Sequence, residues 1–145
     1  MTPKIKVRRL SPLATLPNRG TAASAGLDLC AAISEPLTIY SQERKMIPTG
    51  ISVEIPMGWY GDLRPRSGLA TKRGIILCSS NVVDSDYRGE VGLCLLNTSG
   101  EPVTICPGDR IAQMIVTPYL QVEPVWADDL SDTARGDGGF GSTGR

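Results

Sequence analysis

Apolar and polar residues alternate in several short segments of the chain, as expected for strands that bury one face. The alternation is found at residues 5–8, 51–55 and 103–105. Short unbroken apolar runs, which suit buried strands better than helices of ten or more residues, lie at 75–78, 91–96 and 111–116. Only residues 67–73 predict a helix, of about two turns. The pattern predicts an all-β fold, a jelly-roll-like β-barrel or sandwich with one short helix.

The C-terminal end differs from the rest of the chain. Glycine and proline number 16 and 11, which is 27 of 145 residues, or about 19% against an average of about 12%. No repeat or linker splits residues 1–130, which we expect to form one β domain. Residues 131–145 are glycine-rich, and Phe140 is the only phenylalanine of the chain. We expect a flexible arm that closes over a flat ligand, and the alternative is a disordered tail.

Several classes of chemistry are excluded by composition. The sequence contains no histidine, which excludes Ser-His-Asp triads, Cys-His pairs and HExxH zinc sites. Its four cysteines form no CxxC pair, so we expect free thiols rather than a zinc site. No apolar run approaches the ~18 residues of a membrane-spanning helix. We therefore expect a soluble, cytoplasmic protein with no membrane partner.

Charge is balanced overall but segregated locally. Fifteen basic and fifteen acidic residues give a net charge of zero, which argues against a nucleic-acid partner. Residues 64–73 hold four basic side chains and no acid, whereas residues 84–90 hold three acids and one base. This local polarity favours a small anionic ligand over a polymer.

Five segments, in order along the chain, resemble the five motifs of the trimeric dUTPase family. They are AGLDL at 25–29, PRSGLA at 65–70, VDSDYRGE at 83–90, GDRIAQM at 108–114 and RGDGGFGSTG at 135–144. The resemblance implies a jelly-roll homotrimer with active sites between subunits. It also implies hydrolysis of dUTP to dUMP and pyrophosphate with Mg2+, which lowers dUTP and supplies dUMP for dTMP synthesis.

The second motif is suited to holding phosphate. Pro65 ends a predicted strand, and Ser67 is expected to cap the helix, which would aim backbone N–H groups at an anion. Gly68 lets the backbone approach, and Arg66 adds a charged fork. The resemblance implies that Arg66, Ser67 and Gly68 bind the phosphate chain, with Arg66 also catalytic. The alternative is a capped surface helix with a solvated arginine.

The third motif predicts a hairpin over residues 82–93, with a polar turn between two apolar strands. The resemblance makes Asp84 the base that deprotonates the attacking water, and it places Tyr87 against the deoxyribose. Backbone groups of this segment, including Val83, would read uracil. Gly92 lies inside the second strand, where glycine often marks the close approach of a ligand. The alternative for Asp84 is ordinary turn chemistry.

Two positions depart from the family pattern. Asn81 stands where many members have glycine, and asparagine also tolerates positive φ. Cys78 stands where some members have asparagine, and a thiol cannot supply an amide. We still expect Asn81 to be a substrate-binding residue.

The first and fourth motifs add further candidates. Gln113 lies on an otherwise apolar strand, and the resemblance has it contact the α-phosphate or the catalytic water. The alternative is an outward-facing strand residue. Asp109 and Arg110 are expected to form a structural pair. Asp28 would reach Mg2+ through water, since this ion is held mainly by phosphate oxygens and water.

The fifth motif lies in the glycine-rich arm. The resemblance implies that Phe140 stacks on uracil and that Arg135 meets the γ-phosphate. Gly141, Ser142 and Thr143 would donate hydrogen bonds to the β- and γ-phosphates.

Two other functions are weighed against dUTP hydrolysis. A related dCTP deaminase would release ammonia from dCTP, and a nucleotide-gated binding protein would act on a regulatory partner. The complete arm and the VDSDYRG segment favour the hydrolase.

Overall fold

The computed structural model describes residues 4–140, and within them it contains short strands and a single helix. These elements are β1 (Lys6–Arg9), β2 (Leu27–Cys30), β3 (Leu37–Ile39), β4 (Arg44–Pro48), β5 (Ile51–Glu54), β6 (Trp59–Pro65), α1 (Ser67–Arg73), β7 (Ile75–Leu77), β8 (Val82–Val83), β9 (Gly92–Asn97), β10 (Val103–Ile105) and β11 (Arg110–Pro118). The predicted all-β class, its short strands and its one helix are confirmed.

Two sheets form the body of the molecule. A four-stranded sheet has the order β2-β11-β6-β8, and a three-stranded sheet has the order β4-β9-β7. Two-stranded ribbons, β1-β5 and β10-β3, complete the fold. Every pairing among the described strands is antiparallel. This is the jelly-roll-like arrangement expected from the strand pattern.

The core is built by strands whose side chains alternate between the interior and the surface. In β9, Leu93 and Leu95 are buried while the residues between them are partly exposed. Asn97 is the last residue of β9 and is also buried, but its side-chain amide is fully hydrogen-bonded, as buried polar groups normally are. Its Nδ2 donates to the carbonyls of Ile39 at 2.9 Å and Glu101 at 2.8 Å, and its Oδ1 accepts from Ser99.

The start of α1 differs from the prediction that Ser67 caps it. The cap position is Arg66, with extended backbone (φ −82°, ψ 134°), and no side chain caps the helix. Ser67 is the first helical residue, and a cap side chain must come from the extended residue before it. The helix ends at Gly74, whose left-handed φ of 66° lets its N–H bond to the carbonyl of Ala70.

The predicted hairpin over residues 82–93 is wrong. β8 pairs with β6, whereas β9 pairs with β4 and β7 in the other sheet. Between them the chain changes sheets, and the N–H of Val91 donates to the carbonyl of Ile51 at 2.9 Å. An apolar–polar–apolar pattern fits a sheet-switching corner as well as a hairpin, and only non-local pairing distinguishes the two.

Regular structure among the described residues ends at Pro118. Tyr119 still belongs to the body, since its N–H donates to the carbonyl of Gly58 and its ring meets Tyr60 edge to face at 6.2 Å. Exposure begins before residue 131, where the arm was predicted to start: residues 120–140 are exposed almost throughout, and we call this segment, together with the residues that follow it, the arm. Its exposed large apolar side chains are Leu120, Val122, Val125, Trp126, Leu130 and Phe140. In the described part of the chain, no helix is long and apolar enough to cross a membrane.

Candidate active site

Side chains from three neighbouring strands meet at one end of the four-stranded sheet. β11 lies between β2 and β6, and its Gln113 is in register with Asp28 on one side and Arg64 on the other. Arg66 follows β6 directly. We call Asp28, Arg66, Arg110 and Gln113 the arginine–aspartate cluster.

Asp28 is the centre of this cluster. Its carboxylate is buried, with 8% of the side chain exposed, and it faces two guanidinium groups. Arg66 Nε lies 3.2 Å from Oδ1, and Arg110 Nη1 lies 3.4 Å from Oδ2. The ion pair with Arg110 replaces the expected pair between Asp109 and Arg110, because Asp109 instead accepts from the backbone N–H of Cys106 at 2.7 Å. One acid between two bases leaves the cluster with a net positive charge suited to an anion.

Gln113 is held inside the cluster. Its Nε2 donates to the carbonyl of Pro65 at 3.2 Å, which anchors it to the end of β6. A Cβ added at Gly26 would lie 2.3 Å from Gln113 Oε1 and 3.0 Å from its Cβ. The glycine of the AGLDL motif therefore makes room for Gln113, a role that the sequence analysis did not assign.

The start of α1 lies beside the cluster. An added Cβ at Gly68 would meet no heavy atom within 4 Å, so the backbone here is open to a ligand. Arg66, at the cap position, is 32% exposed at its side chain and faces both Asp28 and solvent. A guanidinium has five N–H donors, so its pairing with Asp28 leaves donors for a phosphate.

The charges of the cluster also act on a neighbouring thiol. Burial raises the pKa of Cys30, and the negative charge of Asp28 raises it further. The thiol therefore stays protonated and uncharged near neutral pH.

The residues present supply no cage for a metal ion. Among residues 4–140, no group of three or more histidine, cysteine, aspartate or glutamate side chains is placed to hold one. Asp28 already faces two arginines, although each of its oxygens can accept a further hydrogen bond from water. Asp28 could therefore contact a hydrated ion only through water, with its direct partners remaining Arg66 and Arg110.

Asp84 stands in a second region, at the sheet-switching corner. It directly follows β8 and its side chain is exposed. Its carbonyl accepts from the N–H of Tyr87 at 3.2 Å, which closes a turn. The hydroxyl of Tyr87 donates to the carbonyl of Glu90 at 3.0 Å, and Glu90 Oε1 accepts from the N–H of Gly50 at 2.7 Å. We call residues 84–90 the Asp84 turn.

The Asp84 turn borders a cavity of about 490 Å³. Its lining residues are Met46, Pro48, Leu63, Ser79, Ser80, Val82, Val83, Asp84, Tyr87, Glu90, Val91 and Gly92. Four predicted site residues are among them: Val83, Asp84, Tyr87 and Gly92. A larger and more open cavity of about 640 Å³, between Ala32 and Lys45, contains none of the predicted residues. We therefore take the smaller cavity as the candidate binding site, because it has a carboxylate and a tyrosine at its edge.

The two departures from the family pattern lie close to this cavity. The carbonyl of Asn81 accepts from the N–H of Leu63 at 2.7 Å, which extends the pairing of β8 with β6. Among the described residues, Asn81 Oδ1 is the buried side-chain polar atom that has no hydrogen-bond partner. Cys78 instead pairs with Cys94, with their sulfur atoms 3.1 Å apart. The neighbour of Gly92 is Met46, whose sulfur would lie 3.1 Å from an added Cβ.

Within the described part of the arm, Arg135 and Phe140 make no hydrogen bond or ion pair to either region. Arg135 Nε donates to the carbonyl of Gly138 at 2.8 Å, within a local turn. Phe140 is fully exposed and has a left-handed φ of 51°. Gly141, Ser142 and Thr143 lie outside the described residues.

The cluster and the Asp84 turn are far apart within one chain. The register pairs Val83 with Gly61 on β6, and Arg66 lies five residues further along the same strand direction. At about 3.3 Å per residue, this separates them by roughly 17 Å. The structure thus brings Asp28, Arg66 and Gln113 together and brings Val83, Asp84, Tyr87 and Gly92 together, but it does not join the two groups.

Comparison with known proteins decides the family. The dUTPase family model matches residues 13–144. The chain belongs to the dUTPase family. It is 48% identical over 145 residues to a deoxyuridine 5'-triphosphate nucleotidohydrolase of Anaeromyxobacter sp. (strain Fw109-5), with 97% of each chain covered. It is 47% identical to the protein of the same name from Wolbachia pipientis wMel, with 98% of this chain and 96% of that protein covered.

Solved dUTPase structures share the fold. A Staphylococcus bacteriophage 80alpha dUTPase variant solved with dUpNHpp superposes with a TM-score of 0.90 at 27% identity, covering 99% of this chain and all of that chain. A dUTPase variant from phage phi11 of S. aureus, described with a structural Mg(II) ion, superposes with a TM-score of 0.81 at 26% identity. That match covers 90% of this chain and all of the phage chain.

Proposed function

We propose that this dUTPase-family chain hydrolyses dUTP to dUMP and pyrophosphate by attack of water on the α-phosphorus, with Asp84 as the general base. The observation that carries the mechanism is the position of Asp84, an exposed carboxylate fixed by a turn at the edge of a cavity. The activity itself is that of the family to which the chain belongs and of its named relatives.

A carboxylate base suits this sequence. The chain has no histidine, so a carboxylate is the available base whose ionised form dominates at neutral pH. Asp84 accepts a proton from the water as the oxygen of that water bonds to phosphorus, and pyrophosphate leaves on the opposite side. The backbone bond from Tyr87 to the carbonyl of Asp84 fixes the base at the start of its turn.

The triphosphate is assigned to the arginine–aspartate cluster and the start of α1. Arg66 supplies charged donors, Gln113 supplies an amide, and the open backbone at Ser67 and Gly68 supplies N–H groups. Charge that develops on the phosphate oxygens would be stabilised by these donors without further rearrangement. Arg66 and Gln113 are therefore proposed as catalytic residues as well as binding residues.

The base and sugar are assigned to the Asp84 cavity. Tyr87 would lie against the deoxyribose, where an additional 2′-hydroxyl has no room, and backbone groups of Val83 would face uracil. Asn81 lies two residues before Val83 in the chain. Its buried amide oxygen has no hydrogen-bond partner among the described residues. Gly92 adds no side chain to the cavity lining, and a side chain at this position would displace Met46.

Mg2+ is proposed as the cofactor, and it would neutralise charge on the triphosphate. The absence of an acidic cage among the described residues agrees with an ion held by phosphate and water. Asp28 would contact such an ion only through water, while its direct partners remain Arg66 and Arg110.

We further propose that the active site is shared between the subunits of a homotrimer. Arg66 lies roughly 17 Å along β6 from the position that pairs with Val83, and Asp84 is one residue further away, so one chain would not present both to the same α-phosphate. The exposed arm, with its fully exposed Phe140 and Trp126, has apolar surface to bury on another copy. Phe140 would stack on uracil there, and Arg135 with Gly141, Ser142 and Thr143 would bind the β- and γ-phosphates.

Pyrophosphate release from dUTP, UTP, dTTP and dCTP tests the function directly. We expect turnover of dUTP and far slower turnover of the others. Heavy-oxygen water should label dUMP rather than pyrophosphate if the α-phosphorus is attacked. Ammonia release from dCTP, with no pyrophosphate from dUTP, would instead favour a deaminase.

Asp84→Asn tests the base, with Asp86→Asn as the matched control in the same turn. We expect Asp84→Asn to lower kcat by about 10³-fold while leaving nucleotide binding intact, because only the proton acceptor is lost. The control should retain nearly full turnover. Wild-type turnover in Asp84→Asn would remove Asp84 from the mechanism.

Mixing two inactive variants tests the shared site. Asp84→Asn and Arg66→Gln, unfolded and refolded together, should regain about a quarter of the wild-type activity, since random assembly gives some sites both native side chains. Each variant refolded alone is the control and should stay inactive. A mixture as inactive as its components would place both residues of a site on one chain.

A further inference from the structure

Two cysteines face each other at the edge of the three-stranded sheet. β7 and β9 are antiparallel, with Leu77 opposite Leu95, and the next pair in this register is Cys78 with Cys94. The N–H of Cys78 donates to the carbonyl of Cys94 at 2.9 Å, so the ladder continues through this pair. Both thiols are free and partly buried.

The geometry of this pair suits a disulfide. Residues in a hydrogen-bonded antiparallel pair have Cα atoms about 5.5 Å apart, within the range of about 4.4–6.8 Å that disulfides span. The two sulfur atoms are 3.1 Å apart, and a bond would bring them to about 2.05 Å. The sulfur atoms must approach by about 1 Å, and the register is unchanged. The backbone must also draw in, because Cβ atoms of a hydrogen-bonded pair lie about 5.5 Å apart, against roughly 3.5–4.5 Å in a disulfide.

The pair adjoins the Asp84 cavity on two sides. Cys78 directly precedes Ser79 and Ser80, which form one wall. Cys94 is in register with Met46 on β4, and Met46 lines the same cavity. A bond between the two sulfur atoms would thus tie one wall of the cavity to the strand behind it.

We propose that Cys78 and Cys94 form a reversible dithiol–disulfide couple that adjusts nucleotide binding in the adjacent cavity. The oxidant is a small-molecule disulfide such as oxidised glutathione. The thiolate of one cysteine attacks a sulfur of the oxidant and expels one thiol, which forms a mixed disulfide. The second protein thiolate then attacks the first cysteine's sulfur in that mixed disulfide, forms the bond between the two cysteines, and expels the second small-molecule thiol. The protein loses two electrons and two protons, and the oxidant becomes two thiols.

The effect falls on binding rather than on the chemical step. The bond draws the segment at Ser79 and Ser80 toward β9, which changes the width of the cavity. Asp84 lies beyond this segment and is held separately, by the pairing of β8 with β6 and by its own turn. Oxidation should therefore raise the KM for dUTP severalfold and leave kcat nearly unchanged. This part of the inference rests on the proposed function.

Burial and the neighbouring Cys94 thiol raise the pKa of Cys78. Less thiolate is present at neutral pH as a result, so the exchange is slow there and the reduced form persists under mildly oxidising conditions. The other two cysteines serve as internal references, since Cys106 is exposed and Cys30 lies on β2.

The experiment maps the disulfide and measures kinetics on the same sample. Reduced protein is incubated with oxidised glutathione, alkylated, and cleaved after basic residues and after glutamate. The Glu101–Pro102 bond resists this cleavage, so Cys78 lies in residues 74–88 and Cys94 shares residues 91–110 with Cys106. We expect these two peptides to be joined, with a mass lower by two hydrogen atoms, and fragment-ion spectra to locate the bond at Cys94 and the alkyl group at Cys106. A thiol reductant should separate them and restore the original KM.

Two variants complete the design. Cys94→Ser should form no internal disulfide, and its KM should not respond to the oxidant, whereas Cys106→Ser should behave as the wild type. Four free thiols after oxidation, or a stable mixed disulfide on Cys78, would overturn the proposal. A mapped disulfide with unchanged KM would also overturn it. If the reduced protein does not cleave dUTP, the proposed function fails, but the peptide map still decides whether the couple exists.

Discussion

The arginine–aspartate cluster and the Asp84 turn are built in opposite ways. The cluster joins side chains that are far apart in sequence, since Asp28 and Arg110 are separated by 82 positions. The turn is held largely by bonds within residues 84–90, such as those from Tyr87 to Glu90 and from Arg88 to Ser85. The proposed phosphate site depends on three strands and forms only when the sheet forms, whereas the proposed base, Asp84, is placed largely by its own local chain.

One glycine in each region makes this contrast measurable. An added Cβ at Gly26 would lie 2.3 Å from Gln113 Oε1, and one at Gly89 would lie 2.3 Å from the hydroxyl oxygen of Tyr87. Gln113 is fixed between two strands and anchored to Pro65. Tyr87 is 46% exposed and has solvent to move into. The same steric conflict should thus have different consequences in the two regions.

The largest effect is expected from Asp28→Asn in the cluster. Removing the buried charge leaves two guanidinium groups facing each other without compensation and releases Arg66 from its position. We expect kcat/KM to fall by about 10²-fold and the free energy of unfolding to fall by about 1–3 kcal/mol, reduced by the partial exposure of both arginines. Steady-state kinetics and denaturant unfolding measure the two effects.

Asp62→Asn is the matched control for Asp28→Asn. Asp62 pairs with Arg64 at 2.8 Å on the same strand, but that arginine is largely exposed. We expect little change in activity or stability from this variant. If raising Mg2+ fully restored Asp28→Asn, the residue would act through the ion rather than through Arg66.

A smaller effect is expected from Gly26→Ala. The methyl group would displace Gln113 and break its hydrogen bond to the carbonyl of Pro65, so kcat/KM should fall by about tenfold. Gly100→Ala is the control, because an added Cβ there meets no heavy atom within 4 Å. Equal activity in the two variants would show that Gln113 is not needed where the structure places it.

The smallest effect is expected from Gly89→Ala in the Asp84 turn. Tyr87 can rotate away from the added methyl group at the cost of its bond to Glu90, so kcat/KM should change by about threefold or less. Turnover of dUTP relative to UTP is the sensitive readout, since Tyr87 is proposed to face the sugar. A loss as large as that of Gly26→Ala would contradict the contrast between the two regions.

Local patterns predicted the elements of the fold but not their partners. The alternation and the apolar runs predicted the positions of strands such as β5, β9 and β11. Burial of a strand leaves a pattern of apolar residues that is visible within that segment alone. The hairpin was mispredicted because pairing depends on residues far away, and β8 joins β6 instead of β9.

The same distinction between local patterns and long-range contacts applies to the candidate site. The motifs predicted Asp28, Arg66, Asp84 and Gln113 as site residues, but they did not predict the ion pair between Asp28 and Arg110 or the space that Gly26 provides. Both features require β2 and β11 to be neighbours, which no single segment reveals. The cap of α1 was misassigned by one position, since helix boundaries depend on backbone angles that sequence only suggests.

The exposure of Trp126 gives the chain an intrinsic optical reporter. The chain has two tryptophans; Trp59 is anchored in β6 and partly shielded, whereas the indole of Trp126 is fully hydrated on the arm. A hydrated indole fluoresces at longer wavelength than a packed one, so association of the arm with another surface would shift the emission toward the blue. Closure and release could then be followed in real time without attaching a dye.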